Sequence, residues 1–441
     1  MTYHCLVLIL ALSCQPAGEE IPLDTRIKAD RITILAKPEP AAARQIPFPP
    51  CHRIATDPAN MAIPEEEAVL FRQAMSQGVK WLLEHQDTNG GWGGGATAKP
   101  TTQPDGWASP AAAAITGLGL KAVAQSGAPT ASLEPAISRL ERATRGDFGF
   151  ENDPLANYII AAVASGLASL DDPAYQETIA TGVELLRKNQ WDGQEGLLIE
   201  QDWYGGAGYG NRGRPDLSNT QVMLDALHDA GVSSNDETFQ RAVVFLSRCQ
   251  NRQASNSAEW CGNDGGFVYT AANGGESLAS EVAGHGRHGN ENLNGTARSL
   301  RSYGSMTYAG YKSMLYAGLQ SDDPRVGAAM DWLRNNWSTT ENPGLGQQGF
   351  FYYVYTMSRA LYASGLNEIT ETDGETHDWR LELGQALIAR QSKDGSWVNP
   401  ASRWLEGRKD LATIYAVLAL EEILKPTPHA MVSSPTQQGI K

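Results

Sequence analysis

The stretch Leu300–Pro324, LRSYGSMTYAGYKSMLYAGLQSDDP, constrains the fold more than any other. After a polar start at Ser302-Tyr303-Gly304-Ser305, Met306, Tyr308, Ala309, Tyr311, Met314, Leu315, Tyr316 and Leu319 spread around the whole helical circumference. A helix that is apolar on all sides must be buried on all sides. Lys312 is its one full charge, and Asp322-Asp323-Pro324 reads as a cap with proline opening the next helix. The spacing predicts an inner helix of a closed ring of helix pairs.

The rest of the chain repeats this arrangement. Amphipathic segments alternate with apolar, small-residue ones, giving outer/inner pairs at 66–86 with 109–125, 133–145 with 153–169, 173–190 with 216–231, 236–250 with 303–320, 324–337 with 348–365, and 377–391 with 410–424. Gly/aromatic loops join each pair, most clearly Gln86–Trp92, Asp264–Phe267 and Gln391–Trp397. Inner helices open alike, Asp216-Leu217-Ser218-Asn219-Thr220 matching Asp410-Leu411-Ala412-Thr413-Ile414, with Asp153 in the same place. Such a repeat cannot bury its apolar helix alone, so six pairs closing into an all-α (α/α)6 toroid are expected over 66–425. No alternation long enough for a sheet domain is present.

Charged residues make up only 19% of the chain, which suits a large interior, and the net charge of −15 argues against a nucleic-acid partner. Residues 1–16 read as an export signal, with an apolar run at Cys5–Leu12 and a lipobox-like Ala11-Leu12-Ser13-Cys14. Lipidation of Cys14 would anchor an exported envelope protein to the membrane. Proline-rich 17–65 reads as an extended tether, and 426–441 as a disordered tail. In an exported chain Cys249 and Cys261 either pair or stay free.

The Gln-x-x-x-Gly-x-Trp loops followed by a small-residue helix resemble the QW repeats of squalene cyclases, whose toroid is shared by prenyltransferase β-subunits. More narrowly, Leu300–Leu319, Asp322–Val326 and Trp397–Leu420 resemble exported bacterial prenyltransferase/squalene-oxidase-repeat proteins. The resemblance implies a monomeric toroid with a central cavity for an apolar, isoprenoid-like ligand. If catalytic, it would be a cyclase- or mutase-like isomerase or a transferase. Two family motifs do not carry over. The acid motif Asp-x-Asp-Asp of class II cyclases is missing. Thr413 stands where prenyltransferases place a zinc-binding His, and the helix at Ser305–Leu319 has no Cys. Neither a metal nor a cofactor is therefore expected.

The candidate acids are Asp216 and Asp410, at the openings of inner helices. Aromatic faces stabilise cations and stack equally on sugar rings. The candidate ligand-binding residues are accordingly Tyr158, Trp203, Tyr204, Asn219, Tyr308, Tyr311, Lys312, Phe351, Tyr355 and Tyr415. Arg212, Arg214 and Arg301 are candidates for an anionic group. The insertion Asn251–Ser302 is expected at the cavity mouth, and His285 and His288 with Glu276, Glu281 or Glu291 are its only metal-like grouping. The alternatives to an isoprenoid ligand are a glycan-binding or polysaccharide-active toroid, or a non-catalytic envelope scaffold.

Overall fold

The computed structural model describes residues 63–88, 90–94, 110–144, 153–210, 213–284 and 299–426. The signal segment, nearly all of the tether and the tail beyond 426 lie outside the described residues. So do Arg212, His285, His288 and Glu291.

Outer helices are α1 (Glu65–Glu84), α3 (Glu134–Thr144), α5 (Gln176–Asn189), α7 (Glu237–Cys249), α10 (Pro324–Asn335) and α12 (Trp379–Arg390). Inner helices are α2 (Pro110–Gln125), α4 (Ala156–Ala168), α6 (Leu217–Asp229), α9 (Gly304–Tyr316), α11 (Phe350–Ser364) and α13 (Lys409–Leu424). A short helix α8 (Leu278–Val282) belongs to the insertion. Each inner helix packs on the next, and α13 returns to pack on both α1 and α2. The chain is an (α/α)6 toroid. Two small antiparallel pairs decorate it: β1 (Ala207–Gly208) with β2 (Pro215–Asp216), and β3 (Glu368–Thr370) with β4 (Thr376–Asp378).

Four groups recur from pair to pair and hold the ring. The glutamine ending an outer helix donates to its own loop's glycine carbonyl and to the next outer helix. Gln190 bonds Gly205 and Thr238, Gln250 bonds Gly265 and Arg325, and Gln391 bonds Gly395 and Ala74. That last bond joins pair six to pair one. The loop glycine is left-handed (φ +87° at Gly205, +86° at Gly265), and a Cβ there would lie 2.0 Å and 2.2 Å from a carbonyl of the next outer helix. Only glycine allows this approach. The backbone N–H two residues on donates to an inner-helix threonine: Trp92 to Thr116, Ala207 to Thr220, Phe267 to Thr307, Trp397 to Thr413, at 2.9–3.1 Å. Trp92 and Trp397 also anchor their indole N–H on the preceding outer helix, at Leu82 and Leu387.

Inner helix α9 stops at Tyr316, short of the expected 320. Gly318 turns left-handed (φ +85°) and the Leu319 N–H folds back to Met314. Cys249 and Cys261 are both free and buried. Asp323 caps as expected, and Asp172 and Asp216 cap likewise, each accepting a backbone N–H from the turn that follows; Asp153 stands two residues ahead of the N-cap Leu155 and accepts its N–H. Asp410 does not cap. It sits inside the first turn of α13, where it accepts from the Gly93 N–H and pairs with Arg408. The match between the two helix openings therefore does not extend to their carboxylates.

Candidate functional site

Long outer-to-inner connections all gather at the N-terminal end of the inner helices, so that end is the mouth. Hydrogen bonds that skip a neighbour in the ring must cross the lumen, and they do so at two levels. Near the mouth, Ser218 and Gln221 on α6 reach Tyr352 on α11, at 3.1 Å and 3.0 Å. Deeper, Asp229 on α6 takes Lys121 of α2 at 2.5 Å and Arg359 of α11 at 2.8 Å. Arg359 also donates to Tyr316 and Tyr355, while Lys312 lies 2.7 Å from both Asp225 and Gln221.

Exposure is graded along this axis. In the first turns Tyr158, Val222, Tyr352 and Tyr415 are only half-buried; one turn or two further in, Tyr355 is 7% exposed, Arg359 3% and Lys312 0%. The mouth end of the lumen is thus a recess, and the ionic layer is its floor. Burial lowers the Lys312 pKa to about 8 against the pull of Asp225, whereas Arg359 is held above its usual range because Asp229 and Asp225 outweigh its burial.

Asp216 stands at the recess wall. Strand pairing of Ala207 with Asp216 fixes one side of it. On the other side the insertion runs alongside: the Leu217 N–H donates to the Tyr269 carbonyl at 2.8 Å and the Thr270 hydroxyl to Pro215 at 2.7 Å. This zipper delivers the Tyr269 hydroxyl to the Asp216 carboxyl. Asp216 is 1% exposed and also accepts from Asn219, from its backbone N–H at 2.7 Å and its side-chain amide at 2.8 Å. Burial pushes its pKa up to about 6, against the Asn219 and Tyr269 bonds and the nearby Arg214. Arg214 is itself held by Glu276 at 2.7 Å. The Tyr209 hydroxyl reaches Tyr269, Tyr158 and Asn219, and the Tyr158 and Tyr209 rings stack at 5.7 Å. The Tyr158 hydroxyl meets Ser218 at 2.6 Å.

No known protein family matches this sequence, and no curated protein is significantly similar to it. Several solved structures align along most of the chain. They include the type II terpene cyclase MstE from Scytonema with merosterolic acid A (12% identity, TM-score 0.45, covering 82% of this chain and 99% of that one). The GH76A alpha-1,6-mannanase from Salegentibacter sp. HEL1_6 aligns at 10% identity and TM-score 0.48, over 80% of this chain and 98% of that one. A D-mannose isomerase aligns at 12% identity and TM-score 0.48, over 80% and 97%. None of these carries an activity over to this chain.

Of the residues expected at a site, Asp216, Asn219, Tyr158, Tyr355 and Tyr415 come together around the recess. Tyr415 packs on both Tyr352 and Tyr355. The others lie elsewhere. Tyr308 packs edge-on against Tyr353, and Tyr311 bonds Ser364 close to Arg334 of α10, so both fill the layer between helices. Phe351 packs edge-on against Phe350 and is 2% exposed. Lys312 is in the floor. Trp203 bonds Asn273 on the rim and packs edge-on against Trp191; Tyr204 is half-buried in the same rim loop. Arg301 is exposed, and Glu281 pairs with Arg403. Among the described residues no three His, Cys, Asp or Glu side chains converge as for a metal. The sequence reading missed Tyr209, Tyr269, Ser218, Gln221 and Tyr352 as site groups. Tyr269 follows a Gly-Gly-aromatic loop, but nothing in the sequence marks the strand that brings it to Asp216.

Proposed function

We propose that the recess binds a polyhydroxylated ligand, a saccharide, and that Asp216 acts on it as proton donor or acceptor. One observation carries this reading: the open part of the lumen is walled by linked hydroxyl and amide groups beside a buried carboxyl that titrates near pH 6. Sugar hydroxyls satisfy such groups, and the C–H faces of a sugar ring pack on half-buried tyrosines such as Tyr158 and Tyr415. An isoprenoid chain would desolvate the same groups without replacing their water, a cost of roughly 1–3 kcal/mol per group.

The stacked Tyr355–Tyr415 pair, 5.7 Å apart, is the feature that favours the isoprenoid alternative. Its faces are poorly placed for a carbocation, however. The Arg359 guanidinium already lies 5.9 Å from the Tyr355 ring centre and would repel one. An oligosaccharide array probed with the full chain tests the proposal, alongside mass spectrometry of an organic extract of the native protein. Selective array binding with an empty extract supports the saccharide reading. A flat array with a polyprenyl or triterpenoid in the extract replaces it.

A further inference from the structure

We infer that Tyr303 is a further ligand-binding residue of the recess, its hydroxyl kept for the saccharide and not for the fold. The inference rests on the saccharide reading above and adds a partner to Asp216.

The ring gives the two residues the same place on neighbouring helices. On α6 the Thr220 hydroxyl takes the Ala207 N–H at 3.0 Å and donates to the Asp216 carbonyl at 2.7 Å. On α9 the Thr307 hydroxyl takes the Phe267 N–H at 3.1 Å and donates to the Tyr303 carbonyl at 2.9 Å. The backbones agree as well, φ −145° and ψ 163° at Asp216 against φ −150° and ψ 159° at Tyr303. Asp216 and Tyr303 are therefore one position in successive pairs, and α6 packs on α9. The same backbone at the same place in a ring sends both side chains off the helix openings in the same sense.

At α6 this position caps the helix, Asp216 accepting the Asn219 N–H at 2.7 Å. Tyrosine is not a capping residue, and Tyr303 makes no such bond. The opening of α9 is capped from the next pair instead: Asn342 Oδ1 takes the Ser305 N–H at 3.0 Å, and the Pro343 carbonyl takes the Gly304 N–H at 2.9 Å. The Tyr303 side chain is thus free of local duties. It is 1% exposed, and its hydroxyl has no hydrogen-bond partner among the described residues. For packing alone phenylalanine would serve better, because a buried hydroxyl without a partner gives up its water for nothing. The groups around that hydroxyl belong to the site. Burial, with Tyr352, Glu276 and Asp216 nearby, holds its pKa well above the usual phenol range, so it keeps its proton. Tyr352 and Asp216 are recess wall, and Glu276 holds Arg214 beside them. An ionised carboxyl only accepts hydrogen bonds, whereas a phenol also donates. A sugar ring, whose hydroxyls do both, answers the two groups together.

Tyr303→Phe removes the hydroxyl and nothing else. Tyr353→Phe, on α11, is the contrast, since the Tyr353 hydroxyl donates to the Ser338 carbonyl at 2.7 Å and so belongs to the fold. Isothermal titration of the full chain with hexamers of β-1,4-glucan, α-1,4-glucan, β-1,4-mannan and β-1,4-N-acetylglucosamine, beside urea unfolding of each variant, tests the assignment. Tyr303→Phe should bind the hexamer that the wild type takes about five- to tenfold more weakly, with an unfolding midpoint equal to the wild type's or higher. Tyr353→Phe should do the reverse, with a lower midpoint and affinity within about twofold. Wild-type affinity in Tyr303→Phe overturns the inference and leaves the saccharide reading standing. A lowered midpoint in Tyr303→Phe, or an equal loss of affinity in both variants, gives the hydroxyl to the fold and overturns it too. Binding of none of the four hexamers by the wild type removes the saccharide reading and this inference with it.

Discussion

At Asp216 the sequence placed a helix cap and the fold made it a titrating group. A capping aspartate in water stays ionised, but this one is buried between a two-strand ladder and the inserted Tyr269 segment. Its pKa rises from 3.8 to about 6. The native state therefore holds this proton more tightly than the unfolded chain. That contribution to stability is full below pH 3.8 and is lost as pH rises through about 6. The ionised carboxyl then costs the fold on the order of 3 kcal/mol. An Asp216→Asn variant cannot ionise, so it should be more stable than wild type at pH 8 and lose that advantage near pH 4. Chemical denaturation at the two pH values measures this, and an advantage independent of pH would contradict it. On any saccharide that the wild type turns over, the same variant should lose about 100-fold or more in kcat with KM changed only a few-fold. Asp410 offers the contrast. Both its oxygens are taken up by Arg408, 2.7 Å away, and the Gly93 N–H, so Asp410→Asn should leave turnover nearly intact.

Among the elements, helices were far more legible than the connections between them. The inner and outer helices fall within a few residues of their expected limits because apolar periodicity and caps are local signals; Asp323 with Pro324 fixes the start of α10 unaided. The site was legible only in its helical half. Tyr158 and Asn219 follow from inner-helix positions, whereas Tyr269 depends on the insertion pairing with residues 215–217, a contact no local pattern encodes. The loops do carry a readable repeat, and its parts have separable tasks. Gln391 ties its own loop to Ala74 of α1. Replacing it with alanine should leave those two carbonyls short of a donor and cost about 1–3 kcal/mol. Gly265→Ala should cost more, since it adds a left-handed strain to a Cβ 2.2 Å from the Ala328 carbonyl oxygen. Urea titrations of the two variants rank them, and a milder Gly265→Ala would mean that the loop shifts freely against α10.

For the molecule as a whole, the lumen floor and the ring closure make one mechanical unit. Arg359 and Asp229 join α11 to α6 across the ring, and Lys121 brings in α2. Glu422 on α13, at 4.0 Å from Arg359, brings in a fourth inner helix. A layer of this kind holds its geometry only while the ring stays closed, because each charge has left water for partners on distant helices. Two consequences follow. The six pairs should unfold together, with calorimetric and van't Hoff enthalpies agreeing, although stacked helix pairs in an open array would be free to fray. Arg359→Met should cost about 3–5 kcal/mol, because it strands Asp229 in the interior with only part of its compensation. If the penalty is the stranded charge, adding Asp229→Asn to Arg359→Met should recover part of the loss. If the double variant is as unstable as the sum of its two single variants, the two groups act independently and the floor is not the cross-brace its geometry describes.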